Sequence, residues 1–225
     1  MLSLEESPRT TAAIEADEFD RSFHWLRPWM SVITSTDPDH LDIYGTKEAY
    51  LESFRHYTTL IKPGGALIIH EGLEMQEDVN DEVRVFRYSL NGGDFHAENI
   101  KIENGAITFD FISPIENVNQ VELGHPIPIN VENAVAAMAM AQLNGCTAEE
   151  LRYGMSTYKG VDRRFDFKVT MSDMFSFQIM HTIQRKFIKV QKACVSCITI
   201  GMSQRYFSHI FIQGREISIK NLQKH

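Results

Sequence analysis

Residues 47–70 read KEAYLESFRHYTTLIKPGGALIIH, and this stretch decides the fold class. Ala49, Tyr50, Phe54, Tyr57, Leu60 and Ile61 recur at the spacing of one helical face. Pro63-Gly64-Gly65 ends the pattern, because proline cannot continue the amide ladder and glycine takes up the turn conformations that follow. Ala66 to His70 is then a short apolar run of the kind that forms a buried strand. Upstream, Met30 to Thr36 (MSVITST) is also rich in β-branched residues and runs into Asp37-Pro38-Asp39. Strand, helix and strand in that order predict a parallel unit, so the expected fold class is α/β with a mostly parallel sheet flanked by helices.

Downstream the period changes. Val83 to Tyr88, Phe95 to Ile102, Ala106 to Ile112 and Val118 to Leu123 alternate apolar and polar residues, and together they predict a small antiparallel sheet. Asn104-Gly105 suits the tight turn of a hairpin between the second and third of these strands. Asn130 to Leu143 returns to helical spacing and closes on Asn144-Gly145. Thr147-Ala-Glu-Glu150 has the threonine and third-position glutamate of a capping box, which opens another helix.

The chain has 225 residues, 43% hydrophobic and 23% charged, as expected of one well-cored soluble domain with an appendage. No apolar run reaches bilayer length, and the first residues lack a basic region followed by an apolar one, so a cytoplasmic protein without a secretory signal is expected. Cys146, Cys194 and Cys197 form no even framework and are expected to remain thiols. The net charge of −8 is uneven: residues 171–225 hold eight Lys/Arg against two acids, a local +6, which leaves −14 for residues 1–170. A basic arm on an acidic body is the pattern of a nucleic-acid or membrane contact. That reading is set aside once the origin of the tail is considered.

Two strings carry chemistry. Residues 14–20 (IEADEFD) concentrate four carboxylates, the hard oxygen ligands that Mg²⁺ takes while it bridges nucleotide phosphates. Taken alone, the same string suits an acidic, solvated helix start better. Residues 37–42 (DPDHLD) place His40 among three acids at a strand end, where a histidine can serve a site or simply the structure.

Read together, these strings resemble the central domain of the Mur ligases. In that family an E-A-D-E-x-D segment supplies a magnesium-ligating glutamate and a D-H-x-D-x-Y segment supplies a histidine near the same metal, so the resemblance assigns Glu15 and His40 to Mg²⁺. Residues 14–23 (IEADEFDRSF) and 36–45 (TDPDHLDIYG) are most similar to members that join L-alanine to UDP-N-acetylmuramate. Members that attach a tripeptide to the same sugar nucleotide are the near alternative, and a non-catalytic nucleotide-binding module is the alternative of another class. The family's Asn-x-x-Asn pair, whose amides face adenine, is matched by Asn130 and Asn133, although Ile129 stands where the family usually has histidine. For Asn130 a simple helix cap is the other reading. GVDRRFD at 160–166 matches a segment whose second arginine reaches the phosphates of ATP, which assigns Arg164, and a planar guanidinium suits bidentate contact with phosphate oxygens. The implied catalytic set is Glu15, His40 and Arg164. The implied ligands are ATP, Mg²⁺, UDP-N-acetylmuramate and L-alanine, with no nucleic acid and no membrane.

The resemblance spans about residues 13–169. The family's Gly-Lys-Thr phosphate loop, expected upstream of Glu15, has no counterpart here, so residues 1–12 are expected to be a truncated start and this chain by itself to be inactive. Residues 170–225 depart from the family in this frame but not in the neighbouring one. Joining the last base of each codon to the first two of the next converts Phe177 to Phe187 into SDYAHHPAEI with permitted codons, and Tyr206 to Asn221 into FQPHLYTRTRDFYKE. Both strings resemble C-terminal motifs of the same family. The tail is therefore expected to be out of frame from about Thr170, and its positive charge, His181, His209 and the Cys194/Cys197 pair are discounted with it. Resequencing the source DNA is expected to find one further base near the Thr170 codon and an open frame continuing through a C-terminal domain; an unbroken frame ending at His225 would overturn this.

Overall fold

The computed structural model describes residues 11–38, 40–103, 106–124, 128–159, 164–171, 174–179, 209–212 and 215–218, the last four stretches by their backbone alone. The chain divides into two units, Met1–Leu67 with Gly72–Val85, and Ile68–Glu71 with Phe86–His225.

The expected parallel unit is present. Strand β1 (Met30–Ile33), the short helix α1 (Leu41–Tyr44), helix α2 (Lys47–Thr59) and strand β2 (Ala66–His70) follow in order. A third strand, β3 (Arg84–Tyr88), completes a parallel sheet with the order β1-β2-β3. Ala66, Leu67, Ile68 and Ile69 are fully buried, as a central parallel strand covered on both faces requires. Helix α2 begins because the Thr46 side chain accepts the Ala49 N–H at 3.2 Å. Its inner face buries Tyr50, Phe54 and Tyr57. Phe23, from the 3₁₀ turn Ser22–Trp25, lies 5.3 Å from the Phe54 ring and 5.0 Å from that of Tyr57. Tyr57 reaches Ser31 of β1 with its hydroxyl at 2.9 Å, and burial raises its phenol pKa.

The three strands begin at one turn. The Ala66 N–H donates to the Trp29 carbonyl at 3.1 Å, the Arg84 N–H donates to the Gly65 carbonyl at 3.1 Å, and the Gly64 N–H donates to the Glu82 carbonyl at 3.1 Å. A Cβ at residue 65 would lie 2.0 Å from the Trp29 carbonyl oxygen, so only glycine permits this approach. Here the sequence reading needs correction: residues 83–88 were expected in the antiparallel sheet, but β3 pairs with the parallel one. Alternation reports a half-buried strand without naming its partner, and the backbone bonds at Gly64 and Gly65 make the choice.

The second unit holds a separate antiparallel sheet, β4 (His96–Glu103), β5 (Ala106–Ile112) and β6 (Val118–Glu122), in the order β4-β5-β6. Glu103 faces Ala106 in register, while the Asn104-Gly105 turn itself lies outside the described residues. Phe95, Ile107, Phe109, Phe111, Val118 and Val121 are buried, each large side chain contributing about 1.5–3 kcal/mol. One carboxylate secures both register shifts of the central strand. Asp110 accepts from Asn99 Nδ2 and from the Gln120 N–H, both at 2.7 Å, and Asn99 (φ 50°) and Gln120 (φ 53°) each adopt left-handed backbone. Those two hydrogen bonds, the one from Asn99 foremost, hold the Asp110 carboxyl below its usual range.

Helix α3 (Ile129–Leu143) and helix α4 (Ala148–Thr157) follow. The expected capping box is formed: Thr147 donates its N–H to Glu150 Oε2 at 2.8 Å and accepts the Glu150 N–H at 3.3 Å. Beyond residue 163, β7 (Arg164–Met171) pairs antiparallel with β8 (Met174–Ile179), and β9 (His209–Ile212) with β10 (Arg215–Ser218). His181, Cys194 and Cys197 lie outside the described residues. Among the described residues no helix is long and apolar enough to cross a membrane. Gly65→Ala is expected to cost at least about 3 kcal/mol, and Thr147→Ala about 1 kcal/mol, in denaturant unfolding of this chain; an unchanged midpoint for Gly65→Ala would remove the central role given to that turn.

Candidate functional site

The acidic string is not a helix start. Residues 11–18 have no regular secondary structure, and the string is shaped by bonds to its own backbone. Asp17 accepts the Phe19 N–H at 2.9 Å, and its carbonyl accepts the Phe23 N–H and the Ser22 hydroxyl, both at 3.1 Å. Asp20 accepts the Ser22 N–H at 2.9 Å, and its bonds to Ser22 keep its carboxyl below the usual range. Two of the four carboxylates are thus committed to loop geometry, while the Glu15 side chain is exposed.

The two strings that the sequence reading paired are joined in space. Phe19 meets the His40 ring edge to face at 4.8 Å, the Tyr44 hydroxyl donates to the Glu18 carbonyl, and the Arg21 guanidinium carbon lies 5.0 Å from the centre of the Tyr44 ring. His40 itself sits at φ 55°, the left-handed backbone that turns the chain from the end of β1 into α1. Both strings belong to the first unit. Among the described residues no cluster of three or more His, Cys, Asp or Glu side chains could by itself hold a metal. Mg²⁺ beside Glu15 and His40 would therefore need phosphate oxygens and water to complete its shell, a mode of binding this ion commonly takes.

Asn130 and Asn133 are the second and fifth residues of α3, in the second unit, Asn130 half-buried and Asn133 exposed. The capping alternative for Asn130 fails. The helix starts one residue earlier, Pro128 occupies the cap position, and no side-chain cap bond is made there. Glu132, between the two asparagines, accepts from His70 Nε2 at 2.9 Å. Neither His70 nor Glu132 was singled out by sequence, although His70 ends a parallel strand, a place where ligands commonly bind. Arg164 is the first residue of β7, opposite Ile179, and the Gly160 to Arg163 part of its motif lies outside the described residues.

Among known proteins, residues 1–141 match the family described as the Mur ligase middle domain. The chain belongs to the Mur ligase family. A UDP-N-acetylmuramate–L-alanine ligase of Phocaeicola vulgatus is 64% identical over 156 residues, which is 69% of this chain and 34% of that protein. The Mur ligase chain therefore spans about a third of the length of the curated relatives it matches. Among solved structures, the UDP-N-acetylmuramate-alanine ligase from Thermotoga maritima superposes with a TM-score of 0.68 at 16% identity, covering 82% of this chain and 42% of that one. A Mur ligase from Thermotoga maritima in complex with ADP, MurF, superposes with a TM-score of 0.60 at 15% identity over 77% and 39% of the two chains. These likenesses show that the fold is that of a Mur ligase central domain, an α/β architecture with a small antiparallel sheet.

In this Mur ligase segment Tyr44 ties the acidic loop to the His40 turn. Tyr44→Phe removes the hydroxyl that donates to Glu18 and is expected to cost about 1 kcal/mol. It should also speed amide exchange at Arg21 and Phe23, whose N–H groups bond to Glu18 and Asp17. Unaltered exchange at both amides would show that the loop holds its shape without α1.

Proposed function

We propose that this chain is the nucleotide-handling segment of an ATP-dependent ligase that joins L-alanine to UDP-N-acetylmuramate in the synthesis of cell-wall peptidoglycan precursors. The observation that carries the reading is the 64% identity, over 156 residues, to a protein named for that reaction. In such a ligase the substrate carboxylate takes the γ-phosphoryl group of ATP, leaving ADP. The amine of L-alanine then attacks the acyl carbon, phosphate departs, and an amide remains.

The residue roles are those that the family resemblance implies, and the chemistry of each side chain suits its role. Glu15 offers an exposed carboxylate beside a loop whose shape is fixed by Asp17 and Asp20. The His40 ring is packed edge to face against Phe19 of that loop. Glu15 and His40 would hold Mg²⁺, which when bound supplies positive charge against the phosphoryl oxygens. Asn130 and Asn133 present amides that can both donate to and accept from the edge of adenine. Arg164 would hold the nucleotide phosphates, where a guanidinium offsets charge on the transferring group. We assign residues 13–169 to the central ATP-binding domain and residues 170–225 to translation in the wrong frame. On this assignment the chain alone does not complete the reaction.

The test uses a full-length ligase carrying this segment. Glu15→Gln preserves shape but removes the charge that offsets the metal, and turnover is expected to fall by a factor on the order of 10²–10³. His40→Ala should also lower turnover. Because both act on one ion, the double variant should lose less than the product of the single losses. Phosphate release at saturating UDP-N-acetylmuramate and L-alanine, followed across a magnesium titration, reads the result. Near wild-type turnover with unchanged magnesium dependence in both single variants would refute the metal assignment.

A further inference from the structure

Helix α3 enters its first turn without the usual fastening. Pro128 at the cap position offers no side-chain acceptor, so the first N–H groups are not held by a capping residue. The fastening comes from 62 residues away in sequence. His70, the last residue of β2, donates Nε2–H to Glu132 Oε1 at 2.9 Å.

Both partners are themselves constrained. The His70 ring packs edge to face on Tyr88 at 5.2 Å, and Tyr88 is 1% exposed at the end of β3. Burial, aided by the negative charge of Glu132, raises the Tyr88 phenol pKa, so the ring that supports His70 stays neutral. The chain just after His70 is fixed as well: the Glu71 N–H donates to the Tyr88 carbonyl at 2.8 Å, and Ser89 Oγ donates to the Glu71 carboxylate at 3.1 Å. The side chains of His70 and Glu132 are 25% and 28% exposed, enough burial to strengthen a charge-assisted bond and enough exposure to border a ligand. All of these residues belong to the second unit.

Glu132 lies between Asn130 and Asn133, and rotating the first turn of α3 by one residue would swing both amides by about 100°. We infer that the His70–Glu132 hydrogen bond is a positioning pair that sets the orientation of Asn130 and Asn133 and thereby selects adenine over guanine. The inference rests on the assignment of Asn130 and Asn133 to adenine. Neither His70 nor Glu132 is required to touch the base. Their effect is to fix where the start of α3 places the two amides against the base, and adenine and guanine have opposite patterns of donor and acceptor at the six-position.

The isotope-labelled chain, titrated with adenosine or guanosine at millimolar concentration, provides the test through the side-chain amide signals of Asn130 and Asn133. Wild type is expected to respond to adenosine more strongly than to guanosine. His70→Ala is expected to weaken adenosine binding by on the order of tenfold, leave guanosine binding unchanged and so erase the preference. His70→Gln, whose amide can donate to the same carboxylate, should restore the preference. A purely structural bond predicts instead a lower melting temperature for His70→Ala with the adenosine-to-guanosine ratio intact, and that outcome overturns the positioning role. If His70→Ala does not fold, Glu132→Gln, which keeps an acceptor oxygen, is expected to retain part of the preference, and a wild-type ratio in Glu132→Ala overturns the role equally. The underlying assignment has its own control: Asn130→Ala must weaken adenosine binding. If it does not, or if wild type shows no adenosine response, the adenine assignment falls and the positioning role falls with it. If Asn130→Ala does weaken adenosine binding and His70→Ala does not, only the positioning role falls.

Discussion

The approach of Gly65 to the Trp29 carbonyl is the constraint on which the parallel sheet depends. A carbonyl 2.0 Å from where a Cβ would stand leaves no room for any other residue. The same glycine accepts the Arg84 N–H, and its neighbour Ala66 donates to Trp29. Three strands therefore take their starting register from two consecutive peptide units. Everything at the far ends of those strands, including His70 and Tyr88, inherits that register residue by residue. The burial of Ala66 to Ile69 makes the register costly to change, since a slip would move an apolar run against unmatched neighbours.

The parts of the fold that were legible in the sequence are those set by local chemistry. Helix α2 shows its apolar spacing and its stop signal within the continuous stretch 47–65, and the capping box at Thr147 and Glu150 is complete within four residues. What was not legible is decided by residues far apart. β3 looks like a member of the antiparallel group because its alternation resembles theirs, but hydrogen bonds to Gly64 and Gly65 draw it to β2. The IEADEFD string has the composition of a helix start, yet Asp17 and Asp20 bond to backbone two residues ahead and hold it as a loop, the competition that short acidic side chains impose on helices.

The candidate site shows the same division. The pairing of the Glu15 string with the His40 string came from resemblance, and the structure supplies its physical form in Phe19, Tyr44 and Arg21. The sequence left a helix cap open as the other reading of Asn130, and the structure puts Pro128 in that place. The His70–Glu132 bond had no sequence signal, because histidine at a strand end and glutamate in a first helical turn are each ordinary alone. The proposed magnesium residues and the proposed adenine residues fall in different units of the chain.

The placement of the two tryptophans has a spectroscopic consequence. Trp25 and Trp29 are the complete set in this chain, and both belong to the first unit. Trp25 is 87% exposed, so its emission already resembles that of an indole in water and changes little on unfolding. Trp29, 54% exposed, lies over Gly64, where a Cβ would come within 3.2 Å of its ring, so it is the tryptophan whose surroundings the fold changes more. Intrinsic tryptophan fluorescence is therefore a nearly single-residue gauge of the turn at which the parallel sheet begins. It is blind to the antiparallel sheet and to helix α3, whose melting registers in far-ultraviolet circular dichroism instead. A mismatch between the two signals would measure how independently the units unfold.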